Sequence, residues 1–492
     1  MARPLALAAA LAVVGLPWAS SANSIETEYP DNGARALGRA GAFTARADDP
    51  TAIYYNPAGL ARQEGFSLLL STNILSLTHT FDAADDFANR KARVLGGLEQ
   101  SHPVSFGPMM AGHFDVEGLE GFDFGFGIYG PASTMKRSFA DQIPVVSVGG
   151  MTGEDQNEVP VKWLRPNGML VEAEMLLAYP TVSVAYELLD NLRIGLSFQI
   201  AVMQAKLSQA IGPPQEAMAN LEFADWFTPT AILGLHYSPT PWLELGASIR
   251  PGFQVEAEGT MSLTQYRSNA VESAGDGNYY YPEDGASYTA DGAPLELFDA
   301  AGRPDDGMTF VYNHPMVVRA AARFVQKRYD IELDYIFQQN STHEYFEIDP
   351  GGESVTVAGN DFPVPTLRDQ RDYEDTHEVR LGGDYALMPG RVNLRTGTAY
   401  ATGASPDNKT NLDFPGLDRW SVHAGVGLII EDLGLEVDFG YAYVGLVERT
   451  VTDSEATLID VTKKYGQGEP IGNGTFAGHY HIGGVSVLWH VW

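Results

Sequence analysis

The stretch Leu435-Glu436-Val437-Asp438-Phe439-Gly440-Tyr441-Ala442-Tyr443 alternates with a period of two. In an extended strand, Leu435, Val437, Phe439, Tyr441 and Tyr443 fall on one face, and Glu436, Asp438, Gly440 and Ala442 on the other. The segment before it repeats the pattern. Trp420, Val422, Ala424, Val426 and Leu428 oppose Arg419, Ser421, His423 and Gly425. A sandwich also alternates, but rarely keeps charges on its packed side and large aliphatics on its solvent side in strand after strand. A wall with lipid outside and a polar lumen inside does.

Working outward, the same reading yields strand segments at 65–80, 102–114, 122–131, 175–188, 192–207, 227–237, 242–255, 312–325, 329–343, 373–387, 392–402, 418–430, 435–448 and 476–492. Their connections at 115–121, 189–191, 238–241, 326–328, 388–391 and 431–434 are short and alternate with long ones, the longest near 132–174 and 259–311. Short turns on one rim and long loops on the other define an outer-membrane barrel. An even strand number puts both ends on the short-turn, periplasmic rim. The fold class expected is therefore all-β: a 14-stranded antiparallel transmembrane β-barrel.

Composition excludes other classes. The chain has 492 residues, no cysteine and a formal charge of −32. Disulfides and thiolate metal sites are ruled out. Nucleic acid is a poor partner, because no basic excess exists to neutralise phosphates. Acids cluster in connections, as in Asp82-Ala83-Ala84-Asp85-Asp86 and Asp305-Asp306. They read as solvated loops, with divalent-cation bridging at the cell surface as the sharper alternative. Residues 1–22 read as a secretory signal. Arg3 supplies the positive end, 5–16 the apolar run and Ser20-Ser21-Ala22 the cleavage site. The run is too short to span a roughly 30 Å hydrocarbon layer. No Gly-x-Ser-x-Gly, His-Glu-x-x-His or phosphate loop occurs, so an enzyme is not expected, and neither is a cofactor or a metal. A membrane-embedded hydrolase with an exterior Ser/His pair is the residual enzyme reading.

Ahead of the strands, residues 32–60 are rich in small residues and end in Asn56-Pro57-Ala58-Gly59, a turn signal. The stretch reads as a plug, or hatch, spanning 23–62, too short for a core of its own. The barrel then occupies 63–492. At the far end, Val487-Leu488-Trp489-His490-Val491-Trp492 has the terminal aromatic and alternation that barrel-assembly machinery reads. His490 departs from the usual pattern.

These residues resemble the FadL/TodX family of outer-membrane transporters for hydrophobic compounds. The likeness is carried by Gly33-Ala34-Arg35-Ala36-Leu37-Gly38-Arg39-Ala40-Gly41-Ala42-Phe43, Ala47-Asp48-Asp49-Pro50 and Tyr55-Asn56-Pro57-Ala58-Gly59-Leu60. Further back it is carried by Arg391-Val392-Asn393-Leu394-Arg395, by Asp413-Phe414-Pro415-Gly416-Leu417-Asp418-Arg419-Trp420-Ser421, and by the opening stretch. The resemblance implies a barrel closed by an N-terminal hatch, capture of a hydrophobic ligand by extracellular loops, and a lumenal pocket. It also implies lateral exit near the third strand and no energy-coupling partner. Long-chain fatty acids are the cargo expected. Aromatic hydrocarbons, or a general porin or structural barrel, are the alternatives. Outer-membrane lipid and lipopolysaccharide, and assembly machinery during biogenesis, are the other partners.

Candidate residues follow. A carboxylate head needs a cation in a partly dry site, preferably Arg. Arg319, Arg323 and Arg419 fall on inward faces, as do Arg193, Arg250, Arg380 and Arg395. Lumen charges that pair across strands are the competing reading, with Arg319/Arg323 beside Glu332/Asp334 as one such ladder. Residues 215–227 are expected to form a short amphipathic helix whose Met218, Leu221, Phe223, Trp226 and Phe227 make a capture patch, against simple loop packing. In the hatch, Arg35, Arg39, Phe43, Asn56 and Pro57 are singled out, the arginines as partners of lumen acids. In the third segment Phe124 faces outward, Gly125 and Gly127 leave the inner face bare, and Gly130-Pro131 invites a kink. A lateral gate, room for the plug and an ordinary strand end all account for that pattern.

Overall fold

The computed structural model describes residues 32–84, 97–99, 104–130, 137–138, 170–211, 217–265, 271–272, 279–280, 293–295, 297–298, 307–357, 360–412, 415–459 and 467–491. The signal, the first residues of the hatch, Pro131 and the acidic stretches at 85–86 and 304–306 lie outside them.

The wall is a closed, antiparallel 14-stranded barrel. Its strands are β1 (Ser67–Ala83), β2 (Val104–Asp115), β3 (Phe122–Tyr129), β4 (Leu170–Leu189), β5 (Leu192–Ile211) and β6 (Ala217–Thr240). Then come β7 (Leu243–Arg250, resuming Phe253–Gln265), β8 (Met308–His314, resuming Val317–Val325) and β9 (Tyr329–Gln338, resuming Tyr345–Asp349). The circuit ends with β10 (Leu367–Gln370, resuming Thr376–Met388), β11 (Val392–Ala401), β12 (Arg419–Ile430), β13 (Leu435–Leu446) and β14 (Gly474–His490). β1 pairs with β14 from Ser67↔His490 to Ala83↔Gly474, which closes the circle. No helix among the described residues is long and apolar enough to cross a membrane.

The packing is inside out relative to a soluble domain. Outward on β9, Ile331 and Leu333 are 48% and 51% exposed, while the inward Glu332 and Asp334 are at 0%. Lipid takes the place of a core outside, and the polar residues are sealed within. Phe324, Tyr329, Trp242 and Tyr385 form an aromatic rim near the short turns, and Tyr335, Tyr400, Trp420 and Tyr441 form another toward the loops. Such girdles mark the two membrane interfaces.

Four strands break at one height. β7 is interrupted at Pro251-Gly252, β8 at Pro315-Met316, β9 by a 3-10 turn at Asn340–Thr342 and β10 at 371–375. Proline cannot donate to a ladder, so the two prolines end the pairing where they sit. Below the breaks the outward residues are apolar, as with Leu245 and Val318. Above them they are Gln254, Glu256, Glu258, Asn313 and Glu347. The breaks mark the outer edge of the hydrocarbon.

The single run expected at 312–325 is thus two pieces with its start at Met308, and the segment at 242–255 is interrupted too. The expected helix at 215–227 is corrected: Ala217 onward is strand β6, in register with β5 and β7. Leu221 and Phe223 are two apart and face inward together, a strand period the helical reading overlooked. The connection between β5 and β6 accordingly shrinks to 212–216, so the alternation of short and long connections is not strict.

Candidate functional site: a hatch and the chamber above it

Residues 32–62 lie inside the barrel. They form two single-turn helices, α1 (Ala34–Leu37) and α2 (Ala52–Tyr55), and a 3-10 segment, Pro57–Arg62. Asn56 caps the last of these: its side-chain oxygen accepts from Ala58 N at 3.2 Å, and Pro57 occupies the first helical position. The Asn56 amide also donates to Thr44 O and Leu235 O, both at 2.9 Å, so the turn motif ties hatch to wall. Ala34, Leu37, Ala42, Phe43, Ile53 and Leu60 are all at 0% exposure, buried by the barrel rather than by one another alone.

Charge holds one side of the hatch. Arg39, fully buried, donates to Asp384 (2.7 Å), Asp330 (2.8 Å) and Glu332 (3.1 Å). Arg46 reaches Asp384 at 2.9 Å and Asp330 at 3.1 Å. The backbone between them forms an anion nest: Phe43 N and Thr44 N donate to Asp334, and Ala45 N and Arg46 N to Glu332. Arg35 instead pairs within the hatch, with Asp48 (3.1 Å) and Asp49 (3.4 Å). Burial alone would raise the Asp48 carboxyl, but Arg35 and Arg46 hold it well below the usual carboxylate range. Burial prevails at Asp49, which is raised despite Arg35.

Elsewhere the wall yields space. A Cβ on Gly382 would sit 2.1 Å from Arg39 O, and one on Gly195 2.3 Å from Ala58 N. On β3, a Cβ on Gly125 would meet Ile53 and Leu60 at 2.9 Å, and one on Gly127 would meet Ile53 at 2.6 Å. The bare face of β3 is filled by the hatch. β3 remains paired to β2 from Asp123 through Tyr129 and to β4 from Phe122 through Tyr129.

Where the hatch meets β3 and β4, packed aromatic rings line the lumen, and this lining is the chamber. Phe43, Tyr55 and Tyr54 stack edge-on in sequence at 5.4 and 4.7 Å, and Tyr54 continues to Tyr129 of β3 (5.2 Å), which meets Tyr179 of β4 (5.4 Å). The Arg319 guanidinium lies 4.9 Å from the Tyr54 ring centroid. Arg250, 1% exposed, lies 5.9 Å from the rings of both Tyr179 and Phe253. It donates to His314 Nδ1 at 3.2 Å. Arginine has no acceptor, so Nδ1 carries a lone pair and Nε2–H donates to the Tyr179 hydroxyl at 3.1 Å. Gln199 donates to the Tyr129 hydroxyl (2.5 Å) and to Thr181 (3.1 Å).

Of the residues singled out in sequence, Arg319 is in this chamber. Arg323 is held by Glu244 (2.8 Å) and Asp330 (3.1 Å), and Arg419 by Glu378 (3.2 Å). Glu332 and Asp334 accept from hatch backbone, while Arg323, opposite Glu332 in the register, takes Glu244 and Asp330 as partners. Phe43 has the guanidiniums of Arg35, Arg39 and Arg46 within 6.0 Å of its ring. Leu221 and Phe223 are buried, Phe223 stacked 4.3 Å from Phe310, whereas Trp226 and Phe227 are 65% and 66% exposed on the other side. They are not one patch; Met218 lies on β6 opposite Ala210 of β5. Phe124 faces outward beside Phe114 at 5.5 Å, and a Cβ on Gly130 would meet Leu177 O at 2.7 Å. Sequence reasoning missed Tyr54, Tyr129, Tyr179, Gln199 and His314 as chamber residues.

The sequence pattern described as "Outer membrane protein transport protein (OMPP1/FadL/TodX)" matches residues 172–474. No curated protein matches the chain. Among solved structures, a FadL homologue of Pseudomonas aeruginosa superposes with a TM-score of 0.68 at 15% identity, over 94% of this chain and 99% of that one. The P. putida toluene transporter TodX gives 0.60 at 13% identity, over 93% and 98%. The Ralstonia pickettii toluene transporter TbuX gives 0.55 at 16%, over 93% and 98%. At such identities the superpositions speak to the fold, and the matched pattern speaks to descent. The chain belongs to the OMPP1/FadL/TodX family, outer-membrane β-barrels that transport hydrophobic compounds.

Proposed function

We propose that the cargo is a long-chain fatty acid, taken passively, without an energy-coupling partner. Extracellular loops capture it, the chamber holds it, and it leaves sideways near β3. The observation that carries this reading is the pairing of the buried Arg250 and Arg319 with aromatic rings of the lumen. An acyl chain gains about 25 cal/mol for each Å² it withdraws from water. A guanidinium fork suits its carboxylate head. Lateral exit fits the glycine face of β3, against which Ile53 and Leu60 of the hatch pack, and Tyr129 at the end of that strand touches the hatch through Tyr54. Arg323 and Arg419 remain ligand candidates only if their carboxylate partners release them.

A second reading, aromatic-hydrocarbon uptake, is favoured by the run of rings from Phe43 to Tyr179 and by the cargo of the toluene transporters TodX and TbuX. A general porin fits worse, since the hatch fills the lumen and is tied to the wall around its circumference. The test is uptake of labelled oleate against toluene in a host lacking the gene, with and without this protein. Oleate uptake restored by the protein supports the proposal. Toluene alone restored selects the second reading, and no change for either defeats both. Ala substitutions at Arg250 and Arg319 should depress oleate uptake and spare toluene.

A further inference from the structure

The breaks in β7, β8 and β9 open a cavity of about 370 Å³ on the outside of the wall, lined by Gln254, Asn313, Thr342, Glu344, Tyr345 and Glu347 together with Val311. Its outward aspect follows from strand alternation. Val311 and Asn313 are partly exposed, between the buried Phe310, Tyr312 and His314 that face the lumen. Its height follows from the same strands. Ile249, Val318 and Phe337 face lipid just below the breaks, so the cavity opens directly above the hydrocarbon, where the outer leaflet carries saccharide.

The lining chemistry selects the ligand. The amides of Gln254 and Asn313 and the hydroxyl of Tyr345 both donate and accept; the Thr342 hydroxyl, which donates to Gln339 O at 3.0 Å, accepts, as do Glu344 and Glu347. Among the described residues, no lysine, arginine or histidine lines the cavity. With Glu347 paired to Arg368, an anion would still meet the like charge of Glu344, whereas a neutral ligand carrying many hydroxyls would find both donors and acceptors. Two of these groups are already fixed. Arg368 binds Glu347 at 2.7 Å and lies 4.5 Å over the Tyr345 ring, so neither must be ordered when a ligand arrives. The volume lies at the small end of the about 300–1,000 Å³ span of ligand clefts.

We propose that this cavity binds a neutral sugar residue of the lipopolysaccharide core in the surrounding outer leaflet. Binding there would anchor the interrupted strands against the leaflet, independently of what the lumen carries.

The test uses the full-length protein in nanodiscs and, as probe, core oligosaccharide freed of lipid A and dephosphorylated, with affinity read by saturation-transfer NMR titration. The double variant Gln254→Leu/Asn313→Leu should bind about tenfold more weakly, as expected when hydrogen bonds made only to the ligand are removed. Its folded, heat-modifiable migration and its cargo uptake should match the parent. Should that pair fail to fold, Glu344→Leu is a single exposed change and should weaken binding by a similar factor. Unchanged affinity in the folded variants overturns the proposal, as does absence of binding to the parent. Binding that requires phosphorylated saccharide with Mg²⁺ and disappears with EDTA also overturns it, and would make the two glutamates a cation bridge.

Discussion

Arg39 of the hatch and Asp384 of β10, 345 residues apart in the chain, meet at 2.7 Å inside the barrel. The pair sits in a cluster where Arg39 and Arg46 share Asp330 and Asp384, and Arg395 bridges Asp384 to Glu436 and Asp438. Removing one member of a buried pair leaves the partner's charge uncompensated, at a cost of about 3–5 kcal/mol. Arg39→Ala should therefore loosen the hatch within an otherwise folded barrel. Single-channel conductance and entry of a small hydrophilic antibiotic should both rise. A sealed lumen in the variant would show that the cluster does not hold the hatch.

Close approach gives a second expectation, independent of charge. A side chain on Gly382 cannot coexist with Arg39 O at 2.1 Å. Gly382→Val should displace the hatch and leak like Arg39→Ala. The same change at Gly483, where a Cβ meets nothing within 4 Å, should be silent. Protease accessibility of the hatch in each variant checks this pair.

Asn56→Ala removes the cap on Ala58 and two donors to buried carbonyls, Thr44 O and Leu235 O. Unmet buried groups cost about 1–3 kcal/mol each. The hatch should detach at lower denaturant concentration than the barrel unfolds, a step readable by fluorescence of a dye placed on its N-terminal side. A single transition at the parent's midpoint would contradict it.

His343, in the break of β9, is packed against Tyr312 at 5.0 Å, and burial lowers its pKa from 6.5 to about 4. The folded state therefore keeps it neutral where the unfolded chain would protonate it. Its full contribution is present above pH 6.5 and is lost as pH falls from there toward 4, by up to about 3 kcal/mol. His343→Leu should flatten the melting temperature over that window while the parent's falls. Parallel curves for the two proteins would exclude His343 as the source.

The pattern that decided the wall was present in single strands: β13 shows its two faces within nine residues, because a lipid-facing strand cannot place a charge outward without loss. The hatch was legible from its small residues and from Asn56-Pro57, whose geometry is local. The chamber was not. Tyr129, Tyr179, Gln199 and His314 lie on four strands and become neighbours only when the circle closes, so no spacing in the chain announces them. Local chemistry also misled at Leu221 and Phe223, where apolar residues dense enough to suit a helix follow a strand period. The breaks at Pro251 and Pro315 could have been read from the prolines themselves. Glu332 and Asp334 looked like partners for the neighbouring strand because nothing in sequence shows that a loop from residues 43–46 will fill the space between.

One small contact bears on how the molecule comes together. Ala34 N donates to Ser486 Oγ of β14 at 2.8 Å, and that hydroxyl donates to Ser71 Oγ of β1 at 2.7 Å. The hatch thus stitches the two strands whose meeting completes the circle. A chain that lost its first sixty residues would have to hold its final strand pairing without that suture.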